Sequence, residues 1–530
     1  MGSGNDTVQF NAGTVSGTLD FGAGSGSLLI AGGASYAGKL LATGSAGTLA
    51  INVNNGTLEN DSAGKLNLSS LTVGASGQLV FAVDPTNNVA TTYTVSGPVN
   101  LASGAKLSVK LLSLLVTTDQ TYAVVQTTPG ALTVGTTSGL TANVPYLFVA
   151  QFTPDTTNGA IDLELRRRTA AEAGLNRAET AAWDPVYQNL GLNSGIERAF
   201  LAQTDAAGYR SMLNQILPDY AGGVFRALSW ANEQQGVAAG SPPLGEDQDG
   251  PTRAWTQEIV LDETKKTAQT EPYHILGVGM VAGLESVSPK GDALGMKIGF
   301  VTANINDPDA PGDNLLGVSE FNGGIYWRGN FGGLKADAQL GAGFIWANDR
   351  REFLYTDTIG TVHATALSNW AGYTLSGRLG LSYTANMGAF FLTPEVHGDY
   401  FRLHQAGYSE HGGGTGFDMQ VDPRNGDLFS VTGSVIAGMS FGTTGFRWRP
   451  QIEAGYRAVL SGTAGSTTTQ FIGGSDPFTL AAETVRMNSA IGRVGLRIYS
   501  DYVDVLLDGG VAKSTDYTDI DIHLTARTVF

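Results

Sequence analysis

The segment 517–530 at the end of the chain alternates between apolar and polar side chains, which is the pattern of an extended strand with two unlike faces. Because successive side chains of a strand point to opposite faces, one face of this segment suits an apolar medium and the other suits water. A soluble sheet edge fits this pattern, and so does the last strand of an outer-membrane barrel, which has lipid outside and a wet lumen inside. The apolar face consists of Ile520, Ile522, Leu524, Ala526 and Phe530.

The same alternation recurs from Thr252 onward in about twelve strand candidates that are separated by turns. Burying their many charges in the dry interior of a soluble barrel carries a large desolvation cost, whereas in a water-filled lumen the same charges cost little and can pair. We therefore predict that residues 252–530 form a 12-stranded antiparallel transmembrane β-barrel. The charges expected to face its lumen are Glu395, His397, Asp399, Arg447, Arg449, Glu453, Arg457, Arg493 and Arg497.

The overall composition agrees with a mainly β protein and excludes several other classes. The 530 residues include 72 Gly and only 15% charged residues, and the net charge of −17 argues against a nucleic-acid partner. The absence of cysteine excludes thiol catalysis, thiolate metal sites and disulfides. No apolar run approaches the ~18–20 residues of a membrane helix, so any membrane crossing must use strands.

Residues 1–165 are rich in Gly, Ser, Thr and Asn, with short β-branched runs between turns. Short strands at irregular spacing favour a right-handed parallel β-helix, whose stacked rungs bury a common core, over an ordinary β-sandwich. The segment Gly2–Phe10 resembles one copy of a calcium-binding nonapeptide, but a single copy cannot supply the ligands of successive turns. We expect neither a metal site nor a cofactor.

Residues 166–251 differ in composition and are rich in Ala, Glu, Gln, Leu and Arg. Their apolar residues recur at helical spacing, which predicts a helical linker. Pro218 suits the first turn of its last helix. The chain thus divides into a β-helical region (1–165), the linker (166–251) and the barrel (252–530).

No motif for catalysis emerges from the sequence. All six histidines lie at or beyond His274, so residues 1–165 cannot form a Ser-His-Asp triad or a His-ligated zinc site. Glu395, His397 and Asp399 share one face of a strand, and we interpret them as a lumenal hydrogen-bond network. The protein is predicted not to be an enzyme.

The order of these parts resembles the classical monomeric autotransporters of type V secretion, over essentially the whole chain. The anchors of this resemblance are Met212–Tyr220 before the barrel, the first strand at Arg253–Gln257, the strands that contain Pro394 and Pro450, and the terminal Phe530.

The resemblance implies that periplasmic chaperones deliver the chain and that the outer-membrane barrel assembly machinery recognises the last strand as an insertion signal. It also implies a monomer in the outer-membrane lipid bilayer, with a passenger at the cell surface and a helix, Asp219–Gln235, left in the pore. The pore-helix residues would be Tyr220, Val224, Arg226, Leu228 and Glu233, with Arg226 and Glu233 facing lumenal charges.

Some members of that family cleave the passenger at a linker Asn next to barrel acids. Asn232 is the one Asn of the expected pore helix, and the paired Asn of some relatives is absent. We therefore expect the passenger to stay attached. The N-terminal segment lacks the features of a signal peptide, so the chain is expected to begin part-way through a longer natural sequence.

Two classes of function remain open. In the first, the chain secretes and anchors a structural or adhesive β-helix. In the second, it is a porin-like outer-membrane channel with an extracellular β domain. A helix that leads into the lumen favours the first class, because a porin has no use for it. A soluble β-rich binding protein, which would need no membrane, is a third class.

Overall fold

A computed structural model describes the chain in two compact units, which are treated separately. One unit comprises Met1–Gly174 and Ile196–Arg210, and the other comprises Leu175–Gly195 and Ser211–Phe530. Within the described part of the chain, no helix is both long and apolar enough to cross a membrane. The described residues are 4–43, 49–114, 119–135, 140, 144–241, 252–266, 270–308, 310–443, 445–474, 476–482, 485, 488–500 and 503–529.

The N-terminal unit is built from short strands. Their bounds are β1 (Thr7–Phe10), β2 (Thr14–Ser16), β3 (Leu19–Asp20), β4 (Gly26–Ile30), β5 (Ala34–Gly38), β6 (Leu40–Leu41), β7 (Leu49–Asn60), β8 (Gly64–Asp84), β9 (Val89–Val95), β10 (Val99–Leu101), β11 (Lys106–Leu111), β12 (Gln120–Gln126), β13 (Leu132–Val134), β14 (Phe148–Asp155) and β15 (Ala160–Arg167).

Strand pairing in this unit mixes two directions. Parallel pairs stack Leu28 on Ile51 and Ile51 on Leu71, and all three side chains are buried. In contrast, β8–β9, β12–β15 and β14–β15 are antiparallel. The predicted right-handed parallel β-helix over residues 1–165 is therefore not confirmed, because the sheet arrangement differs from uniform parallel rungs. The segment Gly2–Phe10 lies partly outside the described residues, and its part from Thr7 to Phe10 forms β1.

Four helices follow, with bounds α1 (Arg177–Leu190), α2 (Ser194–Leu201), α3 (Ala206–Ile216) and α4 (Gly223–Gly240). Asn176 caps α1 in a capping box with Glu179, which satisfies backbone donors of the first turn. The expected pore helix Asp219–Gln235 is displaced along the chain, because α4 begins after Gly222, whose φ of 83° favours glycine and is incompatible with an earlier helical start. Tyr220 thus precedes the helix.

Twelve long antiparallel strands form a closed barrel, which confirms the predicted barrel. Each strand pairs with the next along the ring, and the first and last strands pair from Arg253↔Val529 to Lys265↔Tyr517, which closes it. In ring order they are β16 (Thr252–Lys265), β17 (Tyr273–Val287), β18 (Ala293–Asn306), β19 (Leu315–Phe331), β20 (Leu334–Thr356), β21 (Thr361–Tyr383), β23 (Phe390–Gln405), β26 (Arg424–Met439), β28 (Phe446–Thr463), β31 (Ser489–Tyr499), β32 (Val503–Lys513) and β33 (Tyr517–Val529).

Six shorter strands complete this unit. Two of them, β22 (Ala385–Met387) and β27 (Phe441–Thr443), extend hairpins of the barrel wall. The others form a small separate sheet from the connections between β23, β26, β28 and β31, and they are β24 (Tyr408–Ser409), β25 (Met419–Val421), β29 (Thr467–Phe471) and β30 (Phe478–Leu480).

Strand β33 has an apolar face on the outside of the barrel and a polar face on the inside. Ile520, Ile522 and Leu524 are exposed on the outside, with 51% of Ile522 accessible. Asp519, Asp521, His523, Thr525 and Arg527, which alternate with them, are buried inside. The other two residues of the predicted apolar face differ: Ala526 is half-buried, and Phe530 lies outside the described residues.

This outer face predicts the effect of a charge at different depths. We expect Ile522→Arg to lower the stability of the folded barrel by ~2–4 kcal/mol, because the guanidinium would lie in the hydrocarbon core. Thr528→Arg, on the same face near the strand end, should cost no more than about 1 kcal/mol. Urea titration of both variants in lipid vesicles measures the difference, and equal losses would mean that this face does not contact lipid.

Candidate functional site in the barrel lumen

Helix α4 lies inside the barrel and packs against β16–β21 and β23. Most of its side chains are buried around the whole circumference, including Val224, Leu228, Trp230 and Ala239. A helix enclosed on all sides needs apolar or hydrogen-bonded residues on every face. The sequence of α4 meets this need, because it carries only two charges, Arg226 and Glu233.

The first turns of α4 are held by an apolar layer that crosses the lumen. Val224, Phe225 and Leu228 belong to one buried cluster with inward-facing residues of many strands. Strand alternation did not predict this layer, because it places polar residues on the inner face and apolar residues toward lipid. The main barrel members of the layer are Tyr273, Ile275, Ala303, Ile305, Leu316, Val318, Ile345, Ala347, Trp370, Phe401 and Leu403.

Arg226 forms a buried ion-pair network just beyond the apolar layer. Its Nε donates to Glu263 Oε2 at 2.6 Å, and its Nη2 donates to Asp519. The side chains of Arg226 and Glu263 are 2% and 0% exposed. Tyr273 Oη donates to the second oxygen of Glu263 at 3.2 Å. This network joins α4 to both strands of the closing seam, β16 and β33.

The middle of α4 makes further polar contacts with the wall. Glu233 pairs with Arg457. Asn232 Nδ2 donates to Leu228 O at 2.9 Å and to Glu320 Oε2 at 2.8 Å. The linker Asn therefore does lie beside a barrel acid, and the expectation that the passenger stays attached remains a prediction.

The end of α4 is bound by two arginines of the wall. Arg328 Nη1 donates to the carbonyls of Ala239 and Ser241, both at 3.0 Å, and Arg527 Nη2 donates to Ala238 O at 3.1 Å. The last carbonyls of a helix have no partner within the helix and carry partial negative charge, so cations stabilise them. These contacts fix the C-terminal end of α4, which fills part of the lumen and is called the plug helix below.

The predicted lumenal charges lie on the inner side of the wall. Glu395, His397 and Asp399 follow one another along β23, and Glu395 accepts a hydrogen bond from Ser434 Oγ at 3.2 Å. Glu453 lies 3.8 Å from Arg493, and Arg497 Nε donates to Asp504 at 2.6 Å.

The remaining three differ in environment. Arg457 reaches α4, whereas Arg449 stacks on the ring of Phe391 at 3.3 Å, and Arg447 is only partly buried near the start of β28. The barrel partners that were not predicted from the sequence are Glu263, Glu285, Glu320, Arg328, Arg378, Asp504 and Asp508. Their alternation with apolar residues predicts that they face inward, but it does not predict which of them contact α4.

The closed apolar-out barrel and the enclosed helix define an outer-membrane β-barrel with a plugged lumen. Residues 255–502 match the family described as the autotransporter β-domain. This match supports the resemblance to the classical autotransporters for the barrel region of the chain. The chain is located in the outer membrane, where the barrel translocates a passenger to the cell surface.

Solved structures similar to this chain include three autotransporter barrels. The translocator domain of NalP from Neisseria meningitidis is 12% identical, with 59% of this chain and 99% of that chain covered and a TM-score of 0.45. The β domain of BrkA from Bordetella is 15% identical (53% and 100% covered, TM-score 0.38), and the transport unit of AIDA-I from Escherichia coli is 13% identical (59% and 100%, TM-score 0.37). No curated protein matches the sequence.

Proposed function

We propose that this barrel secretes its own N-terminal region and then anchors it, uncleaved, as a structural or adhesive β-helical passenger. The observation that supports this proposal is α4, which runs through the lumen and connects the N-terminal region to the first barrel strand. A chain that has passed through the barrel and stopped there would leave such a helix in place. The protein acts as a monomer without catalytic activity.

Assembly of the barrel would use the outer-membrane assembly machinery and periplasmic chaperones, with the last strand as the insertion signal. The two-faced strand β33 supports this proposal, because its outer residues Ile520, Ile522 and Leu524 offer a continuous apolar edge next to the seam.

Protease treatment of intact cells tests the secretion proposal. With the chain expressed behind an export signal, we expect residues 1–165 to be digested from outside while the barrel is protected. As a control, the destabilising substitution Ile522→Arg on the lipid-facing side of β33 should lower the amount of folded barrel and the amount of passenger at the cell surface together. If residues 1–165 were digested only after permeabilisation, the proposal would be wrong.

A porin-like channel is the second candidate, and the open space beside α4 favours it. Removing residues 1–251 discriminates between the two functions. The full chain should conduct poorly in planar bilayers, and the truncated barrel should conduct several times more, because the helix occupies the lumen. Equal single-channel conductance in both would show that α4 does not act as a plug.

A further inference from the structure

One side of α4 faces a cavity rather than the wall. The cavity has a volume of about 110 Å³ and lies between the helix and the strands β23–β33. It is large enough for a few water molecules. Glu233 of α4 and His397 of β23 both line it.

His397 is buried with one ring nitrogen unused. The residue is 6% exposed, and its Nε2 has no hydrogen-bond partner among the described residues. Asp399 Oδ2 lies 3.4 Å from this nitrogen and also lacks a hydrogen bond. A buried polar atom without a partner is costly and calls for a ligand that the protein chain does not supply.

The donor atoms have the spacing of a metal site. One ligand atom each from Glu233, His397 and Asp399 lies within 4.8 Å of the others. Ligands bound at ~2.0–2.1 Å to a tetrahedral ion are roughly 3.4 Å apart, which is the separation between His397 Nε2 and Asp399 Oδ2. Imidazole together with carboxylates suits Zn²⁺ and its neighbours in the first transition row.

Two arginines contact the carboxylates, Arg378 at Asp399 and Arg457 at both oxygens of Glu233. Arg378 Nη1 donates to Asp399 Oδ1 at 3.1 Å, which leaves Oδ2 directed toward His397. Arg457 contacts Glu233, whose oxygens retain further lone pairs. Outer-shell donors of this kind position the carboxylate ligands of many metal sites.

A second group of two aspartates and a histidine differs in that an arginine side chain lies next to it. Asp508, Asp521 and His523 also lie within 4.8 Å of one another. There, His523 Nε2 likewise lacks a hydrogen bond and lies 3.4 Å from Asp521 Oδ2. In this group, however, Arg493 Nη1 bridges the aspartate and the histidine, 2.6 Å from Asp521 Oδ2 and 2.9 Å from His523 Nδ1, so the group serves as an internal contrast.

We propose that Glu233, His397 and Asp399 bind a divalent ion of the Zn²⁺ type, with water from the cavity as the remaining ligand. Because Glu233 belongs to α4 and the other two residues belong to β23, the ion fastens the plug helix to the wall. The site is independent of which passenger the barrel carries.

Titration with Co²⁺ tests this site, because a tetrahedral Co²⁺ centre absorbs visible light intensely. The full chain, folded in detergent and freed of metal with a chelator, should take up a single Co²⁺ ion that Zn²⁺ displaces and Ca²⁺ does not. His397→Gln should abolish the visible band. His523→Gln, in the contrasting group, and His363→Gln, at a solvent-exposed histidine, should retain it.

Heat-modified mobility on gels shows whether each variant is folded, and Asp399→Asn replaces His397→Gln if the latter does not fold. Absence of a band in the unmodified chain would overturn the proposal. A band that persists in both His397→Gln and Asp399→Asn would also overturn it, since binding would then occur elsewhere.

Discussion

Replacing Arg226 with methionine is expected to loosen the plug helix and to raise the conductance of the barrel. The substitution leaves Glu263 and Asp519 buried next to each other without the cation that both contact. Removing one partner of a buried ion pair costs about 3–5 kcal/mol, because the remaining charges keep their desolvation penalty. Here two carboxylates remain, so we expect the loss to lie at the upper end of that range.

Single-channel recordings and thermal unfolding measure the two consequences. The triple variant Arg226→Met, Glu263→Gln, Asp519→Asn should recover most of the stability, since it removes the uncompensated charges as well. Arg457→Met is a matched control, because it removes the cation that pairs with Glu233 without creating a facing pair of acids at the seam. If Arg226→Met and the triple variant were equally destabilised, packing of the side chain rather than its charge would hold the helix.

The barrel could be predicted because its signal is local and repeated. On β33, for example, Ile520 and Ile522 alternate with Asp519 and Asp521, and the structure places the two pairs on opposite sides of the wall. Each strand carries its own version of this pattern. Closure of the ring could be predicted as well, because it requires only a sufficient number of strands and pairing of the first strand with the last.

The contents of the lumen could not be predicted in the same way. Ile275 and Ile345 are chemically like the lipid-facing residues, yet they belong to an apolar layer inside the barrel together with Val224, Phe225 and Leu228 of α4. Likewise, Arg226 meets Asp519 across nearly 300 residues of chain. Such pairs depend on where the helix stops in the lumen, and periodicity carries no information about that.

The N-terminal region illustrates a different limit. Short strands rich in Gly, Thr and Val suit parallel and antiparallel pairing almost equally, because β propensity reports a fit to a pleated surface and not a direction. The sequence therefore predicted short strands, but the parallel pairing that was also predicted does not hold for β8 and β9, which pair antiparallel. The parallel stack of Leu28, Ile51 and Leu71 is the part closest to the expected rungs.

A buried carboxyl pair near the start of the plug leads to a prediction about pH. Glu271, in the connection between β16 and β17, is 9% exposed and accepts hydrogen bonds from Asn214 Nδ2 at 2.6 Å and Tyr220 Oη at 3.3 Å. Burial, followed by repulsion from Glu179 of α1 and a carboxyl–carboxyl hydrogen bond with it, raises the pKa of Glu271 to about 7. The charged groups that face this region from the surrounding elements are Glu179, Asp219, Asp307, Asp349, Arg350 and Arg351.

The direction of the pH effect follows from the sign of the shift. The pKa of Glu271 in the folded protein is raised above its ordinary value of 4.5. The contribution of the protonated Glu271 side chain to folding stability is therefore fully present below pH 4.5 and is lost as the pH rises through about 7. A shift of this size corresponds to at most about 3 kcal/mol. The loss should appear first at α1, whose capping residue Asn176 also donates to Glu271 at 3.3 Å.

We therefore expect amide hydrogens of α1 to lose protection between pH 6 and pH 8, after correction for the intrinsic pH dependence of exchange. Glu271→Gln, which mimics the protonated acid, should keep α1 protected at pH 8 and remove most of the dependence on pH. Glu172→Gln, at an exposed carboxylate bound to Arg166, is the matched control and should leave the profile unchanged. If Glu271→Gln retained the full pH dependence, the proton held at low pH would belong to another group.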